Sequence, residues 1–325
     1  MRRLLHLMLA ALLFAAGTAT AARAQASNYP NRPIRMFVGF PPGGAADIVA
    51  RMIANALSPR LGQPIIIENK PGTGGNAAGE AVAKADPDGY TLLHGPDNLF
   101  LINPSLYARM PFDPLKDLVP VASLVSNQLY LTVNNSVQAN TLREFVDLAK
   151  RTKPPLFYGS IGNGSMHHIG MEMFKRHVGI ELTHVPYRGG GPASVALLAG
   201  DIQTMFGGGS VMPMIKSGRI RALAVSGGKR SPVLPDVPTI QEIFPGYEVL
   251  IWHGMFAPAG TPKPILDRLR AEIAVVLQQP ELRERLIASG AGEPYPTQPE
   301  EFQARIRADH AAFGKVIRDA GLRIE

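Results

Sequence analysis

The feature that most limits how this chain can fold is the string GFPPGGAAD at residues 39–47, set between the apolar run IRMFV at 34–38 and a helical pattern starting near Ala46. A strand that passes through a glycine-rich turn into a helix leaves the first helical amides without internal partners, and glycines let an anion approach them closely. The same device returns at GSIGNGSMHH, residues 159–168, and at YRGGGPA, residues 187–193. Further apolar runs of strand length lie at 65–67, 90–93, 156–158, 182–185, 203–206 and 221–225, each bounded by Gly, Pro or Asn. Helical stripes fall between them, one of Ile48, Val49, Met52, Ile53, Ala56 and Leu57, another of Leu142, Phe145, Val146 and Ala149. This alternation predicts an α/β fold of mainly parallel sheets flanked by helices, with ligands at the carboxyl ends of the strands.

The first 24 residues read as a cleavable secretory leader: Arg2 and Arg3, an apolar run through Phe14, and the small-residue exit Ala22-Arg23-Ala24, with cleavage after Ala24 or Ala26. The apolar core is shorter than the about 20 residues a membrane span needs. A soluble periplasmic protein is the expectation. Loss of Arg2, Arg3 and Arg23 takes the formal charge from +7 to +4, because the leader carries no acid. Acids and bases then alternate toward the C-terminus, at Asp267, Arg268, Arg270, Glu272, Arg283 and Glu284, as on solvated helix faces; a nucleic-acid partner is not expected. The absence of Cys rules out a disulfide-stapled scaffold.

About 300 residues beyond the leader suggest two domains. Two longer β-like segments, at 129–133 and at 249–257 around Trp252, break the alternation and read as crossings between lobes. Residues 25–128 with 254–325 would form the first lobe, and 129–253 the second. Two crossings make a hinge.

From Tyr29 onward the chain resembles the extracytoplasmic solute receptors of the tripartite tricarboxylate transporter system, the Bug family. The strings that carry the likeness are YPNRPIRMFVGFPPGGAADIVAR, IIIENKPGTGGNAAGEAVAKADPDGYTLL, INPSLY, FYGSIGNGSMHHIG, VPYRGGGPASVALLAGDIQTMF and GMFAPAGTP. The resemblance implies a two-lobed Venus-flytrap protein of the type II-like periplasmic kind. It implies a small organic acid or amino-acid-like ligand, membrane permease subunits as partners, and a monomer without catalysis or cofactor. An alternative within the same class is a periplasmic sensory receptor feeding a signalling system.

The residues and the resemblance together nominate a ligand-binding set. In the first string it comprises Phe40, Gly43, Gly44, Ala45 and Asp47, with Asp47 placed either to accept from nearby amides or to meet a ligand ammonium. In the second it comprises Ser160, Asn163, Gly164, Ser165 and His168, where Ser165 equally suits a helix N-cap. The third supplies Tyr187, Gly189, Gly190, Pro192 and Ala193, with Pro192 suited to the first helical turn. Phe206 and Gly207 close the set. There Gly207, Gly208 and Gly209 stand where the resemblance implies an Asp or another polar residue, so no particular ligand is carried over.

Competing chemistries lack their residues. His167, His168, His177 and His184 do not fall into an HExxH motif, and no metal site is expected. The GTGGNAAG string at 72–79 lacks a third glycine in dinucleotide register, and neither a Walker A Lys-Ser or Lys-Thr pair nor a GxSxG elbow is present.

Overall fold

A computed structural model describes residues 29–290 and 292–323. The leader expected at residues 1–24, and its cleavage point, lie outside the described residues. The strands run in chain order as β1 Ile34–Val38, β2 Ile65–Asn69, β3 Thr91–Pro96, β4 Leu118–Gln128, β5 Tyr130–Asn134, β6 Phe157–Ser160, β7 Thr183–Pro186, β8 Thr204–Gly207, β9 Ile220–Val225, β10 Leu250–Pro258 and β11 Glu293–Pro294.

These strands form two sheets. The first has the order β11-β4-β10-β3-β1-β2 and the second β7-β6-β8-β5-β9. In the first, β1 lies parallel to β2 and β3, with Ile34 opposite Ile65 and Arg35 opposite Thr91, while β10 runs antiparallel to β3 and β4. In the second, β6 lies parallel to β7 and β8, while β5 runs antiparallel to β8 and β9. The two sheets therefore repeat one plan, three parallel strands, then a reversed strand, then a fifth, to which the first sheet adds β11 at its edge. The central β1 shows why the runs read as near-continuous apolar strings, for only Arg35 of IRMFV is exposed and both faces are covered.

Helices cover the sheets where the stripes predicted them. Helix Ala45–Leu61 buries Val49, Ile53 and Leu57 against the first sheet, and helix Leu142–Arg151 buries Leu142, Phe145, Val146 and Ala149. The latter begins at Thr141, whose side chain accepts from the Glu144 amide. Toward the C-terminus, helices Lys263–Leu277, Pro280–Ala288 and Pro299–Asp319 return to the first lobe. The last also packs on helix Met166–Val178 of the second lobe, where Arg176 pairs with Asp319 at 2.9 Å.

The chain passes between the sheets at Leu129, joining β4 to β5, and again ahead of β10. Fully buried Ser226 ties these two points together. Its hydroxyl donates to the Val249 carbonyl at 2.6 Å and accepts from the Leu129 amide at 2.9 Å. Its own backbone amide donates to Leu129 O, and its carbonyl accepts from Val249 N. Strand β10 pairs with β4 from Leu250 onward, so residues 250–253, grouped with the second lobe on sequence, hydrogen-bond within the first sheet.

Removing the Ser226 hydroxyl strands a buried amide and weakens the double crossing. Ser226→Ala should lower unfolding stability by about 1–3 kcal/mol, the cost of an unsatisfied buried group. Equilibrium urea denaturation measures it, and an unchanged midpoint would show that the backbone pairing alone holds the hinge.

Candidate ligand-binding site

The carboxyl ends of β1, β2 and β3 give the first lobe its loops. A Cβ added at Gly39 would stand 2.5 Å from Gly75 Cα, so the two glycine loops touch backbone to backbone and no larger residue fits. Gly43 then turns with φ +81°, and Gly44, extended at φ −75° and ψ 165°, forms the N-cap of helix Ala45–Leu61 without any side-chain capping bond. The first-turn amides thus face the loop without a capping side chain, as the sequence pattern implies.

Asp47 takes the first of its two readings. It is buried, and it accepts from Gly43 N at 2.9 Å, Arg51 Nε at 2.9 Å and Asn69 Nδ2 at 2.8 Å. Asn69 Nδ2 also reaches Phe40 O at 3.0 Å, so one carboxylate and one amide fix the turn to the end of β2. Burial disfavours the ionised carboxyl, yet hydrogen bonds from Arg51, Gly43 and Asn69 and the Arg51 charge outweigh it and hold its pKa at about 2.

Loop 72–75, which on sequence reads only as a failed nucleotide fingerprint, lies against the first glycine loop through the Gly39–Gly75 contact. Gly72, Thr73, Gly74 and Gly75 all have positive φ, and Asn98 and Asn103 each donate a side-chain N–H to Gly74 O, at 2.8 and 3.0 Å. Asn103 Nδ2 also reaches Asn76 Oδ1 at 2.7 Å. The coil ends in a second glycine-capped helix, Asn76–Ala83, with Gly75 as its N-cap. Its position after β2 was the signal in the sequence; its partners Asn98 and Asn103 lie too far along the chain to be paired by eye.

In the second lobe the polar residues mostly build the loops. Ser160 is fully buried: its hydroxyl contacts His184 Nε2 at 2.7 Å and both the amide and carbonyl of Gly162 at 3.1 Å. Ser165 caps helix Met166–Val178 by accepting from His168 N, and its hydroxyl donates to Gly162 O at 2.7 Å. His168 Nδ1 accepts from Gly164 N at 3.1 Å, and its ring stacks on His184 with centroids 3.9 Å apart. Burial lowers the pKa of His168, and burial with the neighbouring His168 lowers that of His184 to about 4. Asn163 is exposed at the loop tip.

Gly189 has φ +109° and, like Gly44, caps its helix, Gly190–Ala199, without a side-chain bond. Tyr187 is half-buried and Pro192 exposed, whereas the Ala193 side chain is buried. Gly190 needs its missing side chain, since a Cβ would meet Ser210 Oγ at 2.8 Å. Phe206 points the other way, into the core beside Phe174 and Tyr247, and a Cβ on Gly207 would collide with Val211. The lobes meet at Gly164, whose added Cβ would stand 2.3 Å from Leu106 Cδ2. Beside that contact lies a cavity of about 490 Å3 that includes Asn163, Gly164, His168 and Leu106 in its wall.

Because the folded-state pKa of Asp47 is depressed, its stabilisation is complete above the unfolded value of 3.8 and fades as pH falls through about 2. Asp47→Asn should therefore cost on the order of 2 kcal/mol near neutral pH, a gap that narrows below about pH 4. Urea midpoints of both proteins across that range test this; a gap independent of pH would remove Asp47 as the anchor of the turn.

The sequence profile of the tripartite tricarboxylate transporter family receptors (TctC) matches residues 49–322. Protein BugT of Bordetella pertussis is 34% identical over 319 residues, which cover 96% of this chain and 97% of BugT. A solved R. palustris protein with adipate is 34% identical, covers 91% of this chain and 100% of its own, and superposes with a TM-score of 0.74. A TctC solute-binding protein from Polaromonas without ligand is 29% identical, covers 90% and 99%, and reaches 0.82. The chain belongs to the tripartite tricarboxylate transporter receptor family, whose members are two-lobed periplasmic solute-binding proteins rather than enzymes.

Proposed function

We propose that the protein binds a small carboxylate between its lobes and that the closed form delivers it to the membrane subunits of a tripartite transporter. The observation that carries this reading is the set of glycine N-caps at Gly44, Gly75 and Gly189, none with a side-chain capping bond. Elsewhere Thr141, Ser165 and Thr239 cap their helices with their own hydroxyls, while the helices after Pro262, Gln279 and Gln298 lack a side-chain cap but open on Pro rather than on a glycine loop. Helix N-termini carry roughly half a positive charge each, so bare ones from both lobes favour an anion that replaces the missing caps. Among relatives, MatC of Rhodopseudomonas palustris, 32% identical and covering 89% of this chain and 100% of its own, is solved with bound malate at a TM-score of 0.69.

Malate, succinate and adipate should raise the melting temperature while their diamides do not. A ligand that binds only the folded state stabilises it by about 2.7 kcal/mol at a hundredfold excess over its dissociation constant. Equal stabilisation by the diamides would sink the anion reading. Gly44→Val tests the place: Gly44 has an ordinary φ, and its nearest neighbour to an added Cβ is Pro41 O at 3.4 Å, so the fold has room for the side chain. The variant should keep a cooperative melt and lose the ligand-induced shift; a retained shift would move the anion elsewhere. Small-angle scattering should show a smaller radius of gyration with saturating ligand, and an unchanged curve would contradict closure.

A further inference from the structure

A cavity of about 600 Å3 beside the glycine loops is lined by Thr73, Tyr107, Ala108, Arg109 and Arg323. Its polar side chains are two guanidiniums, which only donate, and two hydroxyls, which can. Arg176 and Lys175 nearby are committed, to Asp319 at 2.9 Å and to Glu172 at 2.7 Å. Arg109 and Arg323 have no ion-pair or hydrogen-bond partner among the described residues. Both guanidiniums are exposed and line one cavity, and a guanidinium fork matches a carboxylate in particular.

Thr73 adds a second, independent mark. Its φ of +49° makes it the one non-glycine among the described residues in the left-handed region, which a β-branched side chain adopts only under strain. Glycine stands at 72, 74 and 75, so the loop keeps a side chain only where it meets this cavity. The Asn98 and Asn103 bonds to Gly74 O hold the strained turn in place. Arg323 also lines the neighbouring cavity with Asn163, Gly164 and His168, so the cationic wall continues to the second-lobe loop.

We propose that Thr73, Tyr107, Arg109 and Arg323 form an anion subsite at the mouth of the cleft, taking the outer carboxylate of a di- or tricarboxylate. This rests on the carboxylate reading above, with the inner carboxylate on the glycine loops. The subsite makes charge at the far end of the ligand the basis of selection.

The test is calorimetric titration of the protein and of the double variant Arg109→Gln/Arg323→Gln with adipate, citrate and adipic acid monoamide. The double variant should bind adipate and citrate about tenfold or more weakly and the monoamide unchanged, and its diacid binding should depend less on salt. Unchanged diacid affinity in the variant overturns the subsite while leaving the carboxylate reading intact. So does monoamide binding as tight as that of adipate in the unmodified protein. If the unmodified protein binds none of the three, the carboxylate reading falls and the subsite with it.

Discussion

Two sheets of one strand plan share a cleft because the chain crosses between them twice at points that Ser226 holds together. A single crossing would leave each lobe free to swivel, whereas two adjacent strands resist twist and still allow bending. The hydroxyl of Ser226 satisfies Leu129 N and Val249 O at the place where both strands leave their ladders and would otherwise expose backbone groups to a dry interior. The glycine loops on either side can face each other only while that joint keeps the lobes in register.

The loops divide their labour. Side chains that look suited to hold a ligand, Asp47, Ser160, Ser165 and His168, are spent inside the protein on shaping backbone. What they leave without a side-chain partner is chiefly main chain, in the first helical turns that follow Gly44 and Gly189. On the proposed reading, a site made of amides would recognise charge and fit more than chemical identity, in keeping with relatives solved with acids as different as adipate and malate.

Much of the fold was legible because it is written in short-range patterns. The apolar runs became β1, β2, β3 and β6 to β9 within a few residues, and the stripes at 48–57 and 142–149 became buried helix faces. Strand β4 was not foreseen, since Pro120 and polar Ser123, Ser126 and Asn127 blur its alternation and its partner β10 lies far along the chain. Loop positions were legible from strand-glycine-helix order, but side-chain direction was not. A short hydroxyl after a strand reads alike whether it meets a ligand or, like Ser160, a histidine from the next strand. Loop 72–75 was judged against a nucleotide fingerprint, though its coil depends on Asn98 and Asn103 from beyond β3.

The C-terminal helix Pro299–Asp319 lies on helices of both lobes, touching residues 98–101 on one side and helix Met166–Val178 on the other. It is thus a second bearing, set apart from the crossing strands. Two bearings define an axis. If the lobes close as proposed, motion that preserves both would be confined to rotation about the line joining them, that of a jaw with one degree of freedom. The Arg176–Asp319 pair at that bearing is half exposed and contributes little to stability, so it can re-form as the jaw turns without resisting it.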